Sequence, residues 1–178
     1  DDVLCGTCER FEVIAGREAY LDYLDEEISK YIAKVIPLEM SASDSRKVSG
    51  YFRIVENLER IGDHAMNIAD HACAVTEGCV RLSGAAMKEV RTMKHLALDT
   101  LHLLQERPDR GDEDMLVSVA KREQQIDDMS RVFREGQIQR MKEGACSAEA
   151  GIIFSEMVTD FERIGDHALN IAEEYVHM

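Results

Sequence analysis

One heptapeptide, Glu-Arg-Ile-Gly-Asp-His-Ala, occurs twice in this chain of 178 residues, at residues 59–65 and 162–168. Each copy places a glutamate four residues before an aspartate, and Glu18 with Asp22 and Glu123 with Asp127 repeat that spacing. Residues four apart lie one turn apart on the same face of an α-helix, so each pair presents two neighbouring carboxylates. Such oxygen-rich groups bind hard or borderline cations, including Mg²⁺, Ca²⁺, Mn²⁺ and iron.

The spacing of these pairs indicates an internal duplication. Residues 58–69 and 161–172 match at ten of twelve positions at an offset of 103, and the upstream acid pairs match at an offset of 105. If the paired helices pack side by side, four carboxylates converge in each repeat and repel one another until a cation neutralises them. The predicted metal ligands are Glu18, Asp22, Glu59 and Asp63 in the first repeat, and Glu123, Asp127, Glu162 and Asp166 in the second.

Further polar residues extend the same helical line by one or two turns. They are possible supporting ligands: Asn67 and Asp70 in the first repeat, and Asn170 and Glu173 in the second. An alternative stays open, because this line falls roughly 140° from the predicted core stripe, where an ordinary solvated face belongs. That predicted stripe consists of Leu58, Ile61, Ala65, Ile68 and Ala72.

The glycine and histidine of each heptapeptide have a different predicted role. Glycine inside a helix costs about 1 kcal/mol relative to alanine, so Gly62 and Gly165 predict a close helix approach or access for an ion. His64 and His167 point about 100° away from the preceding aspartates and are expected to pack or hydrogen-bond.

Two neighbouring patterns carry weaker expectations. Arginine can pair with an acid three or four residues away, which predicts Arg60 with Glu56 and Arg163 with Asp160. The pair Glu156 and Asp160 has no acidic counterpart in the first repeat, so it is interpreted as surface.

The elements that must position these residues are helices. Apolar residues recur with a period of 3.6, and the only two prolines are Pro37 and Pro108, which predicts an all-α fold with about five long helices. Their predicted bounds are residues 16–36, 43–76, 83–106, 112–142 and 147–178. Expected caps and ends are Ser43 or Asp44, Gly78, Asp112, Gly144 and Ser147.

Aligning the repeats predicts a three-helix unit present twice. The helix at 83–106 has no upstream counterpart, so the first helix of the first unit is expected to be absent or truncated in this chain. The expected organisation is an N-terminal segment at 1–15, poorly structured or a short helix, a two-helix first repeat at 16–79 and a three-helix second repeat at 80–178. An apolar stripe without its third wall predicts a homodimer formed through the first repeat.

Composition narrows the class of partner. The formal net charge of −14 argues against nucleic acid as a partner. The chain contains no run of about 18 apolar residues, so the sequence does not predict that this segment inserts into a membrane. Five cysteines, odd in number, fit reduced thiols in a cytosol. Cys5 and Cys8 have C-x-x-C spacing, which alone is weak evidence for a metal or redox site.

The segments LERIGDHAMNIAD and FERIGDHALNIAEE, with the acid pairs at 18/22 and 123/127, resemble the PhoU family over nearly the whole chain from about residue 16. The resemblance implies tandem three-helix bundles lying side by side, with multinuclear metal clusters carried by Glu/Asp-x-x-x-Asp motifs. Carried over, the eight acids named above would hold iron or another divalent cation.

Other stretches look more like one branch of related proteins. MSASDSRKVSGYFRIVENLERIGDHA, LDYLDEEISKYI and REGQIQRMKEGACSAEAGIIFSEMV are similar to the cytosolic C-terminal domain of sodium/phosphate cotransporter family proteins. This implies a non-enzymatic regulatory domain of phosphate uptake, cytoplasmic at the inner face of the cell membrane, whose partner is a membrane phosphate transporter in the same parent chain.

Two other functions are kept as alternatives. One is a stand-alone adaptor that binds a phosphate transporter and a sensor kinase and represses phosphate-starvation signalling. The other is a metal-dependent carboxylate enzyme.

Overall fold

The computed structural model describes residues 10–106 and 113–178, and within them it contains five α-helices and no β-strand. The helices are α1 (Phe11–Val35), α2 (Ala42–Thr76), α3 (Gly84–Glu106), α4 (Glu113–Lys142) and α5 (Ala148–His177). No helix in this part of the chain is long and apolar enough to cross a membrane. Cys5, Cys8 and Asp112 lie outside the described residues.

The starts of the first two helices differ from the sequence prediction. Helix α1 begins at Phe11, five residues before the predicted start at Gly16. The N-cap of α2 is Ser41, and not Ser43 or Asp44 as predicted. Ser41 Oγ accepts a hydrogen bond from the Asp44 backbone N–H at 3.1 Å and donates one to the Asp44 carboxylate. It therefore caps a free backbone N–H of the first turn, and it does so from a position two residues before the predicted Ser43.

Three further predicted helix ends, at Gly78, Gly144 and Ser147, agree with the structure. Ser147 caps α5 by accepting a hydrogen bond from the Ala150 backbone N–H at 3.1 Å. Gly78 follows α2 with φ 73°, and Gly144 follows α4 with φ 69°. A residue with a side chain avoids this left-handed conformation, so glycine ends both helices.

The five helices form a helix pair and a three-helix bundle. Helix α1 packs on α2, whereas α3, α4 and α5 pack on one another, and α2 lies along α5 and joins the two units. The main core fills the three-helix unit with large buried side chains such as Met93, Ile126, Phe154 and Met157. Thus α5, which packs on α2, α3 and α4, carries the second heptapeptide next to the main core.

The buried face of α2 differs from the predicted stripe. Leu58 is 44% exposed and Ala65 is also exposed, whereas Ile54 and Gly62 are buried. The prediction was wrong at Leu58 and Ala65 because α2 is covered by α1 on one side and α5 on another, and Ala65 lines a groove between the covered sides.

This apolar groove has a volume of about 420 Å³ and is lined by residues of α1, α2, α3 and α5. Its lining includes Phe11, Ile14 and Ala69. At the offsets of the repeat, these three residues correspond to Leu116, Val119 and Ala172 of the second unit. There they form a cluster with two leucines of α3, Leu103 and Leu104, which cover them. In the described residues, the first repeat is therefore a helix pair, and its association with a second copy remains a prediction.

Candidate metal centre

The glycines of the two heptapeptides allow their helices to approach a neighbour closely. A Cβ atom on Gly62 would lie 2.8 Å from Leu21 Cδ1, and one on Gly165 would lie 3.1 Å from Ile126 Cδ1. Leu21 and Ile126 each immediately precede an aspartate of the predicted sites. The close approach therefore occurs where the carboxylates of two helices must meet, as the sequence predicted.

In the first repeat, three of the four predicted ligands come together. Each of Glu18 and Asp22 on α1 and Asp63 on α2 has a carboxylate oxygen within 4.8 Å of the others. Glu18 is half-buried, while Asp22 and Asp63 are exposed. Glu59 lies outside this trio but close to it, since burial and then repulsion by Asp63, Asp25 and Asp22 raise its pKa.

The second repeat reproduces the trio at the equivalent positions. Glu123 and Asp127 on α4 and Asp166 on α5 have carboxylate oxygens within 4.8 Å of one another, and all three are half-buried. Asp127 Oδ1 is fully shielded and has no hydrogen-bond partner. A shielded carboxylate oxygen without a donor is costly, and a cation held by the three acids would satisfy it. The residues present therefore fit a metal ion.

The fourth predicted ligand of the second repeat is engaged elsewhere. Glu162 Oε2 accepts short hydrogen bonds from the Ser130 hydroxyl and the Arg134 guanidinium. Arg163 donates to Asp166 at 2.9 Å, and the predicted pair with Asp160 was wrong. The predicted pair of Arg60 with Glu56 is confirmed at 3.1 Å.

The two heptapeptide histidines lie at the α2–α5 interface. The rings of His64 and His167 stack with centroids 5.6 Å apart. His64 Nδ1 lies 2.8 Å from Asp160 Oδ1, and His167 Nδ1 lies 2.9 Å from Asn57 Oδ1. The acceptor oxygens require a proton on each Nδ1. Burial, followed by the nearby His64, lowers the pKa of His167. The prediction that these histidines hydrogen-bond is confirmed.

The supporting residues predicted next to the heptapeptides lie away from the trios. Asn67 donates to Asp160 at 3.4 Å, and Asn170 donates to Asn57 at 3.1 Å, so both belong to the histidine interface. Asp70 and Glu173 are exposed and fall outside both trios.

The surface interpretation of Asp160 was wrong. It was interpreted as surface, but it is 8% exposed and accepts hydrogen bonds across the helix interface. Extending the repeat alignment one residue upstream of Leu58 would have found it, because Asp160 falls on Asn57 at the offset of 103. A polar acceptor at both positions is the missed signal.

Burial and mutual repulsion raise the pKa of several of these carboxyl groups. For Glu18, burial comes first and repulsion by Asp22 and Asp63 follows. For Glu123 and Asp127, burial again comes first, with repulsion by neighbouring acids of the second site. The ordinary values are 4.5 for glutamate and 3.8 for aspartate.

These shifts predict that the metal-free protein loses stability as the pH rises. A carboxyl group with a raised pKa in the folded state binds its proton more tightly there than in the unfolded chain. Its folded state is therefore favoured most at low pH, and that advantage disappears as pH rises from the ordinary values through the raised pKa. We expect urea unfolding of chelator-treated protein to show this contribution decreasing as the pH rises above the ordinary carboxyl values of 3.8 and 4.5.

A charge-deleted variant isolates that contribution from that of the half-buried His167, whose lowered pKa makes stability rise with pH. Asp63→Ala combined with Asp166→Ala removes a repelling neighbour at each site, so the loss of stability as the pH rises above the ordinary carboxyl values should become smaller. Identical pH dependence in the wild type and the variant would identify the acids as ordinary solvated groups.

Comparison with known proteins gives one family. A family model described as "PhoU domain" matches residues 6–72 and 90–175. The chain is 27% identical over 155 residues to "Phosphate-specific transport system accessory protein PhoU homolog 1" of Thermotoga maritima, covering 87% of this chain and 65% of that protein. It is 32% identical over 170 residues to a "Phosphate-specific transport system accessory protein PhoU homolog" of Rhizobium meliloti, covering 93% and 69%.

A solved structure shares the fold. The crystal structure of PhoU from Pseudomonas aeruginosa superposes with a TM-score of 0.79 at 23% identity, covering 98% of this chain and 83% of that chain. The present chain spans slightly less than two thirds of the length of the Thermotoga maritima relative.

Proposed function

Because this chain belongs to the PhoU family, we propose that it is a regulatory accessory component of phosphate uptake that holds cations on two carboxylate sites. The accessory role rests on relatives whose names place them with the phosphate-specific transport system. The cation role rests on the geometry of this chain, in which the duplicated motif forms two equivalent trios of acids.

One observation carries the cation proposal. Asp127 Oδ1 is a shielded carboxylate oxygen without a hydrogen-bond partner, and it belongs to a trio of acids whose oxygens lie within 4.8 Å of one another. Solvent satisfies exposed acids, but it does not reach this atom. A bound cation supplies the missing positive charge and the missing partner together.

The donor set favours hard cations. Only carboxylates form the two trios, and such sites suit Mg²⁺, Ca²⁺, Mn²⁺ and iron better than softer ions that prefer thiolates. When bound, the ion would neutralise the acids and join α1 to α2, or α4 to α5. Glu18, Asp22 and Asp63 would hold it in the first repeat, and Glu123, Asp127 and Asp166 in the second.

The proposed role is regulatory and not catalytic. His64 and His167, the nearest candidates for proton transfer, are turned into the α2–α5 interface by Asp160 and Asn57. The carboxylates would therefore bind and orient cations without an acid–base partner from the heptapeptide. A bound cation would neutralise the acids of its trio and so change the charge that this helix face presents to a partner protein. Such a change of surface charge provides a means of regulation.

Of the two transport interpretations, the accessory adaptor has the stronger support. The relatives reported above are named as accessory proteins of the phosphate-specific transport system. Attachment to a sodium/phosphate symporter in the same parent chain, and a position at the inner face of the membrane, remain predictions from the sequence.

A complementation experiment tests this function. In a host lacking its own gene for this protein, the full-length wild type should restore control of phosphate uptake, measured as ³²P-phosphate accumulation in phosphate-rich and phosphate-poor medium. Asp63→Ala with Asp166→Ala should fail to restore it at equal protein abundance. Asp70→Ala with Glu173→Ala is the matched control, since it removes the same charge from the same helices outside the trios. If both variants restore control of phosphate uptake, the proposal that the carboxylate sites regulate uptake is contradicted.

A further inference from the structure

Helix α1 carries a row of exposed apolar side chains on a side that α2 leaves uncovered. The exposed fractions are 53% for Val13, 59% for Tyr20 and 68% for Tyr31. Leu24 lies between the two tyrosines and is half-buried. These four residues are seven, four and seven positions apart, which keeps them in line over about five helical turns. A continuous row of large apolar side chains in contact with water indicates an interaction surface.

The second repeat lacks this row. At the offset of 105, the positions of Val13, Tyr20 and Tyr31 are occupied in α4 by small or polar residues, Ser118, Gln125 and Gly136. Ser118 is exposed and the other two are half-buried, although α3 packs on α4. The third helix of that bundle therefore does not bury these positions. Packing within a three-helix unit gives no reason for aromatic side chains here.

Two charged residues complete the row and make it complementary to itself. Arg17 and Glu27 fill its gaps of seven residues, and the row then follows the alternating four-and-three spacing of a helix that packs along another helix. Each lies five residues from position 22, on opposite sides of it. In an antiparallel pair of α1 helices centred there, Arg17 of each copy faces Glu27 of the other. Parallel packing would bring like charges together, so the charges favour the antiparallel pair.

The same centre matches the apolar residues. Val13 and Tyr31 are each nine residues from position 22, and Tyr20 and Leu24 are each two residues from it. Val13 therefore meets Tyr31 of the second copy, and Tyr20 meets Leu24, with every contact made twice across the two-fold axis. Tyr23 borders the row near this axis, where its ring stacks on Tyr20 with centroids 6.2 Å apart. Aromatic side chains of this kind are the usual anchors of protein interfaces.

We infer that this row is a self-association surface whose occupant is a second copy of the chain. The two α1 helices pack antiparallel through six residues of each copy: Val13, Arg17, Tyr20, Leu24, Glu27 and Tyr31. The pairing needs no cation, because Asp22 lies about 180° around α1 from the row. The carboxylate site of the first repeat therefore stays open in the dimer.

Sedimentation velocity of the full-length protein over a range of concentrations tests the pairing. Physiological ionic strength is used, since it screens the general repulsion between chains of net charge −14. The wild type should form a dimer. Val13→Ser with Tyr20→Gln gives α1 the residues of α4 at these positions and should weaken the dimer by at least about tenfold. Val117→Ser with Val132→Gln, which changes two exposed valines of α4, is the matched control and should leave the dimer intact.

Charge reversal tests the antiparallel arrangement itself. Arg17→Glu or Glu27→Arg alone places like charges opposite each other twice and should weaken the dimer by about tenfold. The double variant should recover wild-type association. An equimolar mixture of the two single variants should recover it as well, because both charge pairs are restored in the mixed dimer. Lys30, which lies 3.0 Å from Glu27, keeps its partner Glu26 at 2.7 Å in Glu27→Arg.

Three results would overturn the inference. A wild type that is monomeric at every concentration would leave the row to a different protein. A dimer that Val13→Ser with Tyr20→Gln leaves unchanged would place the contact elsewhere. Charge reversals that have no effect, or that weaken the dimer without recovery in the double variant, would rule out the antiparallel pair. Circular dichroism establishes that each variant is folded, and the charge exchange decides the outcome if the apolar variant is not.

Discussion

Saturating Mn²⁺ should raise the melting temperature of this protein by roughly 5–10 °C for each site that it fills. A ligand that binds only the folded state at 100 times its dissociation constant adds about 2.7 kcal/mol to the free energy of unfolding. In a chain of this length, 1 kcal/mol corresponds to about 2–4 °C. The physical reason is that Mn²⁺ removes the repulsion among the acids of each trio and gives Asp127 Oδ1 its missing partner.

The control for this result separates site binding from general screening of a chain with net charge −14. Asp63→Ala with Asp166→Ala should abolish the Mn²⁺-dependent rise, while Asp70→Ala with Glu173→Ala should retain it. Thermal unfolding followed by circular dichroism measures all three proteins with and without Mn²⁺. An equal rise in all three would show that Mn²⁺ acts by screening alone.

Asp160→Leu should lower the free energy of unfolding by about 2 kcal/mol, or roughly 4–8 °C in melting temperature. Asp160 is buried and its Oδ1 accepts from His64 at 2.8 Å and from Asn67 at 3.4 Å. Leucine fills the space but removes the acceptor of the half-buried His64, whereas the exposed Asn67 can turn to water. A donor that is shielded from water and loses its acceptor costs much of its desolvation.

The first repeat supplies the control for this variant. Asn57 occupies the equivalent position and accepts from His167 and Asn170 in the same arrangement. Asp160→Asn therefore keeps an acceptor oxygen and should cost less than half as much as Asp160→Leu, measured by urea unfolding. If the two variants unfold identically, the interface is held by apolar packing and the hydrogen bonds contribute little.

Sequence patterns predicted the features of the fold that depend on residues close together in the chain, such as helical periodicity and the glycines that end helices. Over residues 10–106 and 113–178 the all-α class and the five helices are confirmed, and glycines end α2 and α4 at the predicted positions. The start of α1 was missed because residues 11–15 have no strong cap signal before them. Ser41 was missed as the cap of α2 because Ser43 and Asp44 fit the same local pattern, and only the folded chain selects among them.

The candidate site was predictable to the extent that it follows the repeat. Six of the eight predicted ligands form the two trios, three in each repeat. Spacing alone could not distinguish Glu162 from the predicted ligands that form the trio, because its partners Ser130 and Arg134 lie on another helix. Likewise, Asp160 is buried by the packing of α2 against α5, which no period within α5 reports.

The exposure of the acids explains why the solvated-face alternative was reasonable. Asp22 and Asp63 are exposed, as that alternative requires, whereas all three acids of the second trio are half-buried. The same motif therefore sits in two environments. Spacing within one helix cannot distinguish them, because the packing of neighbouring helices sets the exposure of each acid.

Elemental analysis of the purified full-length protein tests the central claim most directly. Protein expressed in medium containing iron and manganese should carry metal after gel filtration, and Asp63→Ala with Asp166→Ala should carry almost none. Asp70→Ala with Glu173→Ala should carry as much as the wild type. Equal and near-zero metal in the wild type and the first variant, even after incubation with Mn²⁺ or Fe²⁺, would contradict the account and identify both trios as solvated surface.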